Sequence, residues 1–187
     1  MAVSALDREQ YLTGVLHATA CPSTHVELPR AKRSVEVLTM LRREQSWAGP
    51  EPASFRAIPN KPAFQFNGQP TWAEFILLRL LERDGWKGAW VKNWRGRAFW
   101  RDVLEVCELP SSASALFRQI EKRAAGRGGG CWDIFVSRGD EFLFIESKKR
   151  GKDKATLTQR IWLESALDEG IPLASFVIVE WLRTDMG

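Results

Sequence analysis

Between Cys131 and Lys149 two short apolar blocks, CWDIFVS and FLFIESKK, flank the turn signal Arg138-Gly139-Asp140-Glu141. Runs of this length, rich in aromatic and β-branched residues and bounded by turn residues, read as strands. Their spacing predicts a hairpin. The blocks are apolar nearly throughout rather than alternating, the pattern of strands covered on both faces. The chain therefore needs helices on either side of the sheet.

The surrounding segments supply them. Thr71 to Asp84 places Phe75, Leu78 and Leu81 at helical spacing, with Gly85 as a stop signal. Residues 86–94 predict a strand, 98–109 and 112–125 two helices, 155–169 a helix and 174–181 a last strand. A glycine-rich loop, Gly126 to Gly130, precedes the hairpin. The order α-β-(αα)-β-β-α-β predicts an α/β fold with a mixed sheet flanked by helices.

Upstream, Ser4 to Asp7 looks like a capping box, and Tyr11, Leu12, Val15 and Leu16 form an apolar stripe. Residues 31–47 put Val35, Leu38 and Leu41 on one side, which predicts a second helix. Residues 49–70 hold five Pro and two Gly, the composition of a connector. Phe55, Phe64 and Phe66 within it predict packing on the body. The expected organisation is a helical N-terminal extension over 1–69 and a second unit over 70–187.

Composition narrows the chemistry. The balance of 27 Lys and Arg against 23 Asp and Glu, net +4, permits an anionic partner without demanding one. Three irregularly spaced Cys exclude a disulfide scaffold and a four-Cys metal site. Both His precede residue 26, so the later sequence holds no His-based chemistry. No run of 18 apolar residues occurs, so no membrane is expected. Asp7, Arg8 and Glu9 stand where a secretion signal needs its apolar run, so a cytoplasmic location is expected.

Four charges interrupt the apolar blocks. Asp133 lies inside the first, and Glu146, Lys148 and Lys149 end the second. Strand side chains alternate, so Glu146 and Lys148 share a face, roughly 7 Å apart along the strand. A hairpin brings Asp133 within reach of Glu146. Buried charges are costly unless paired or metal-bound. A hard divalent cation relieves the repulsion of two carboxylates, and Mg²⁺ typically uses one or two of them with phosphate and water. Such a metal activates water and neutralises a phosphate under attack. Lys148 is placed to orient that water and offset transition-state charge.

At these residues the chain resembles the PD-(D/E)xK nuclease superfamily: Asp133, twelve intervening residues, then Glu146-Ser147-Lys148. Within it the likeness is to the virus-type replication–repair nuclease group (VRR-NUC). The residues concerned are Gly130-Cys131-Trp132-Asp133, Ile145-Glu146-Ser147-Lys148 and Gln159-Arg160-Ile161-Trp162. Trp132 departs from the group, which usually has Pro before the acid. The resemblance spans roughly 60% of the chain, with residues 1–69 outside it. It implies a restriction-endonuclease-like αβββαβ core over 70–181, with 98–125 as an insertion. It further implies a Mg²⁺- or Mn²⁺-dependent endonuclease acting on DNA, with branched DNA as one substrate and RNA as the alternative polymer. Asp133, Glu146, the Ser147 carbonyl and Glu74 would hold the metal. Lys148 would be the catalytic lysine, and Gln159 would line the site.

Several of these residues carry a second reading. Thr71-x-x-Glu74 and Thr156-x-x-Gln159 are both capping boxes. Asp133 with Lys148 or Lys149 would make a buried ion pair. Lys149, Arg150, Lys152 and Lys154 form a basic run beside the site, fit for phosphate contact or for solvent alone. Arg127, with Lys122 and Arg123, is a second basic patch. The glycines match no phosphate loop. Lys92, Trp94, Arg95, Arg97 and Trp100 interleave cations and aromatics, which suits base stacking or core packing. His17, Cys21 and His25 recur every four residues, but Pro22 breaks the helix and no fourth zinc ligand follows. Cys131 reads as a buried small residue. Rival functions are a non-catalytic nucleic-acid-binding module, an RNase on the same fold and a protein-interaction unit. A homodimer is a further expectation, because two sites cut two strands most simply.

Overall fold

The structure is a computed structural model that describes residues 5–92, 97–124, 130–151 and 154–184. The elements are, in chain order, α1 (Ala5–Leu16), β1 (Thr19–Leu28), β2 (Arg33–Gln45), β3 (Phe64–Phe66), β4 (Gln69–Thr71), α2 (Ala73–Arg83) and β5 (Lys87–Lys92). There follow β6 (Ala98–Asp102), β7 (Glu105–Val106), α3 (Ser111–Arg123), β8 (Ile134–Arg138), β9 (Glu141–Lys149), α4 (Leu157–Asp168) and β10 (Phe176–Thr184).

Eight strands form one mixed sheet in the order β1-β2-β10-β9-β8-β5-β6-β7. β10 runs parallel to both its neighbours, β9 and β2, and the other pairs are antiparallel. Side-chain alternation sorts the core into two layers. Phe135 and Phe144 pack with Phe117, Ile120, Trp162 and Leu163 of α3 and α4. Ile134, Val136, Leu143 and Ile145 pack with Leu12, Leu16, Phe75 and Leu78 of α1 and α2. Both faces of β8 and β9 are thus covered, which is why their sequences run apolar without alternation. The α/β class with a mixed sheet flanked by helices is the one expected.

The N-terminal region departs from its predicted form. Residues 31–47 are no helix: β1 and β2 form a long hairpin that extends the sheet beyond β10. The stripe Val35, Leu38, Leu41 coexists with a period-two series, Val35, Val37, Thr39, all buried. Burial between β1 and β10 favours the β-branched series. Among its described residues the extension is α-helical only in α1, and β1 and β2 share the large sheet with strands beyond residue 69. Residues 98–109 also form strands, β6 and β7. Asp102 Oδ1 accepts from Val103 N at 2.7 Å and Leu104 adopts φ 64°, which turns the chain back on itself.

Candidate active site

The site forms where two central strands part. β8 and β9 pair from Arg138 and Glu141 up to Ile134 and Ile145, and the ladder stops there. Side chains replace it. Asp133 N donates to Glu146 Oε2 at 3.3 Å, and Ser147 N donates to Asp133 Oδ2 at 3.0 Å. The Asp133 carbonyl accepts from Val91 N at 2.7 Å, which ties this residue to β5. Asp133 stands one residue ahead of β8 rather than inside a strand over 131–137. That offset lets its carboxylate cross to the neighbouring backbone.

Glu146, 2% exposed, is held at both oxygens. Its Oε1 accepts from Lys148 Nζ at 2.8 Å and from Gln159 Nε2 at 2.7 Å. Glu146 and Lys148 therefore share a face of β9, as alternation requires. Among the described residues Lys148 pairs with Glu146, and no ion pair of Asp133 with Lys148 or Lys149 is seen.

Gln159 reaches Glu146 from the first turn of α4. Thr156 Oγ1 accepts from Gln159 N at 3.3 Å, and Gln159 Oε1 accepts from Thr156 N at 2.9 Å. The amide oxygen closes the capping box while the nitrogen holds the acid, so Gln159 caps α4 and touches Glu146 at once. Gly130 allows this closeness: a Cβ there would stand 2.6 Å from the Thr158 carbonyl oxygen. Trp132 occupies the place ahead of Asp133 as a buried ring set edge-on to Phe176 at 5.0 Å. Its Nε1 donates to the Gln159 carbonyl at 3.4 Å.

Glu74 is not a capping residue. Thr71 ends β4, and the N-cap of α2 is Trp72 with no side-chain cap. Glu74 is 6% exposed, and its Oε1 takes Lys61 Nζ at 2.8 Å. Its Oε2 is buried with no partner among the described residues. Lys61 also lies over the Trp90 and Trp72 rings, at 4.9 and 5.6 Å. Lys61 was not among the sequence candidates; it sits in the Pro-rich segment, where no periodicity marks it.

Electrostatics bind the acids into one unit. The Asp133 carboxyl is pushed well above the ordinary range, first by burial and then by the charges of Glu146 and Glu74. Lys61 and the Ser147 N–H oppose that rise. Burial also raises Glu146, against the pull of Lys148 and of its hydrogen bonds. Burial raises the thiol of Cys131, which is a packed small residue as expected.

The flanking cations divide. Lys149, Arg150 and Lys154 are exposed around the end of β9 and the approach to α4. Lys152, Arg127, Trp94 and Arg95 lie outside the described residues. Arg97 pairs with Glu121 over the Phe117 ring, and Trp100 is buried edge-on to Trp90. These two are structural, not a stacking platform. Lys92 lies 5.7 Å from the Trp100 ring. Lys122 is exposed, and Arg123 pairs with Glu169 and Asp168. His17 follows α1 and is exposed, while Cys21 and His25 lie on β1. Four residues of strand span about 13 Å, too far for a shared zinc.

The donors at the fork are all oxygens, the set suited to a hard divalent cation. Among the described residues no three His, Cys, Asp or Glu come together in a way that could hold a metal ion. Lys61 and Lys148 instead hold the flanking acids, and the orphaned Glu74 Oε2 is an oxygen of the kind a hard cation takes. No family model, curated protein or solved structure matches the chain. No helix among the described residues is long and apolar enough to cross a membrane.

Proposed function

We propose that the chain is a metal-dependent nuclease that hydrolyses DNA phosphodiester bonds. The observation that carries this reading is the fork itself: Asp133 and Glu146 held against each other by backbone amides, with Lys148 on the same face. A packed core gains nothing from a buried acid with a half-buried one against it unless a cation or substrate uses them. The path α2-β5-β8-β9-α4-β10 follows the αβββαβ order, with β6, β7 and α3 as an insertion. That path supports a restriction-endonuclease-like core.

Asp133 and Glu146 would hold Mg²⁺ or Mn²⁺ with the Ser147 carbonyl, and Glu74 would complete the set. When bound, the cation would supply charge neutralisation at the phosphate and a more acidic water. The chain's own groups do the rest. The Ser147 N–H fixes the Asp133 carboxylate, and Gln159 fixes that of Glu146. Lys148 keeps its ammonium beside the acids, where it holds the attacking water by hydrogen bond and offsets charge growing on the phosphate. Lys149, Arg150 and Lys154 meet neighbouring phosphates and carry no base information.

The test is a cleavage assay on linear duplex, single-stranded, four-way-junction and RNA substrates, with Mg²⁺, Mn²⁺ or EDTA. The reading predicts DNA cleavage that needs metal. Binding that ignores EDTA, with no cleavage, would favour a non-catalytic module, and RNA cleavage alone would favour the RNase.

A further inference from the structure

A cleft of ≈ 620 Å³ opens beside Lys148, and its far wall belongs to the β1–β2 hairpin. Thr24, Val26 and Ser34 of that hairpin line it together with Lys154, Arg160, and Ile178 and Glu180 of the middle of β10. The wall is fixed. Glu164 of α4, 3% exposed, accepts from the backbone N–H groups of Arg30 and Ala31 at 2.9 and 2.6 Å. The Arg30 guanidinium donates to Asp168 at 3.2 Å and to Ser165 Oγ at 3.1 Å. Arg160 bonds Glu27 at 2.6 Å. A wall tied down this way costs little to order when a ligand arrives.

The lining selects its occupant. Lys148 and Lys154 supply positive charge on one side. Ile178, Val26 and Ala155 supply apolar surface. Glu180 stands across the β9–β10 ladder from Lys148 and puts a carboxylate in the same space. Arg160 compensates Glu27, so Glu180 is the carboxylate of the lining that a duplex backbone, anionic along its length, would meet. A single nucleotide fits all three features: an anionic phosphate, a flat ring system and N–H donors on the base edge. A cleft of this volume lies in the range of about 300–1,000 Å³ that encloses small ligands.

We propose that this cleft receives one unpaired nucleotide of a single-stranded DNA segment adjoining the scissile phosphate, with Glu180 accepting from the base edge. Guanine is the favoured base, because its N1–H and N2–H donors match two carboxylate oxygens. The assignment rests on the nuclease reading for the identity of the polymer. It makes the β1–β2 hairpin a part of the substrate site, although it lies outside the region of family resemblance.

The experiment uses the full chain in EDTA and fluorescence anisotropy. The probes are DNA hairpin duplexes, blunt or carrying a three-nucleotide single-stranded tail of one base, with matching RNA tails. The tail tightens Kd about tenfold in wild type, most with guanine, an effect of about 1.4 kcal/mol. Ser34→Trp sets an indole in the cleft and brings the blunt-to-tailed Kd ratio to about 1. Glu180→Gln keeps a tail preference and loses the lead of guanine. Equal affinity of wild type for blunt and tailed DNA overturns the proposal. So does a tail preference that survives Ser34→Trp, or an RNA tail that outbinds DNA. A parallel cleavage assay separates the two readings. Metal-dependent cleavage without tail preference removes the cleft assignment alone; tail preference without cleavage removes the enzyme alone. No binding to either DNA removes the cleft assignment, and the cleavage assay in Mg²⁺ then decides the nuclease reading by itself.

Discussion

Glu146 is a buried acid and Asp133 a half-buried one beside it, yet their removal should act on stability in opposite directions. Asp133→Asn takes away a charge raised by burial and by two neighbouring acids, and keeps an oxygen to accept from Ser147 N. Removing such a like-charge contact should stabilise the metal-free protein by about 1–3 kcal/mol. At about 2–4 °C per kcal/mol for a domain of this size, Tm rises by about 2–12 °C. Glu146→Gln does the reverse. Both its oxygens accept from protein donors, so an amide NH₂ must face Lys148 and Gln159 or the Asp133 N–H. It also strips the counter-charge from Lys148, whose side chain is 13% exposed. Breaking one side of a buried pair costs about 3–5 kcal/mol, or about 6–20 °C. The pH dependence follows from the Asp133 shift. A raised carboxyl keeps its proton in the folded state above about pH 4, where the unfolded chain releases it. The folded state then binds more protons, so metal-free stability falls as pH rises through the folded titration. Asp133→Asn flattens that slope. Thermal melts in EDTA from pH 4.5 to 8 measure all three effects. A lower Tm for Asp133→Asn at pH 7, or an unchanged slope, would refute the reasoning.

The other predictions concern what positions the site and what binds around it. Gly130→Ala pushes the first turn of α4 from Asp133, so cleavage should fall by 10-fold or more while circular dichroism keeps the helix content. Gln159→Leu should lower metal affinity by about 10–100-fold, read by calorimetry, because the donor that orients Glu146 is lost. The same variant loses half of the capping box, a cost of about 1 kcal/mol in thermal melts. Lys149→Ala and Arg150→Ala should each weaken DNA binding equally across sequences and reduce the slope of log K against log salt by about 1; a change in sequence preference would contradict a phosphate role.

The two apolar blocks around Arg138 announced the centre of the fold because full burial leaves a continuous apolar signature. The same blocks made Asp133, Glu146 and Lys148 visible, since charges there contradict their surroundings. The hairpin of β1 and β2 was hidden because Val35, Leu38 and Leu41 satisfy helical spacing as well as strand burial does. Only pairing with β10, distant in sequence, decides between them. The strand β6 was misread for a similar reason: Asp102 and Leu104 turn the chain by local backbone geometry rather than by Gly or Pro. Lys61 was invisible because its meaning lies in Glu74 and two Trp rings, contacts that only the folded chain creates. Glu74 shows the converse, a capping pattern without a cap.

The central claim is that Asp133, Glu146 and Lys148 form a hydrolytic site rather than a buried charge network. Its most direct measurement is the single-turnover rate of DNA cleavage in Mg²⁺ for wild type and Lys148→Ala, with each protein's fold checked by melting. The account predicts metal-dependent cleavage that drops by about 10²–10³-fold in the variant. Wild-type cleavage undiminished in Lys148→Ala, or absent from wild type on every DNA substrate with Mg²⁺ and Mn²⁺, would contradict it.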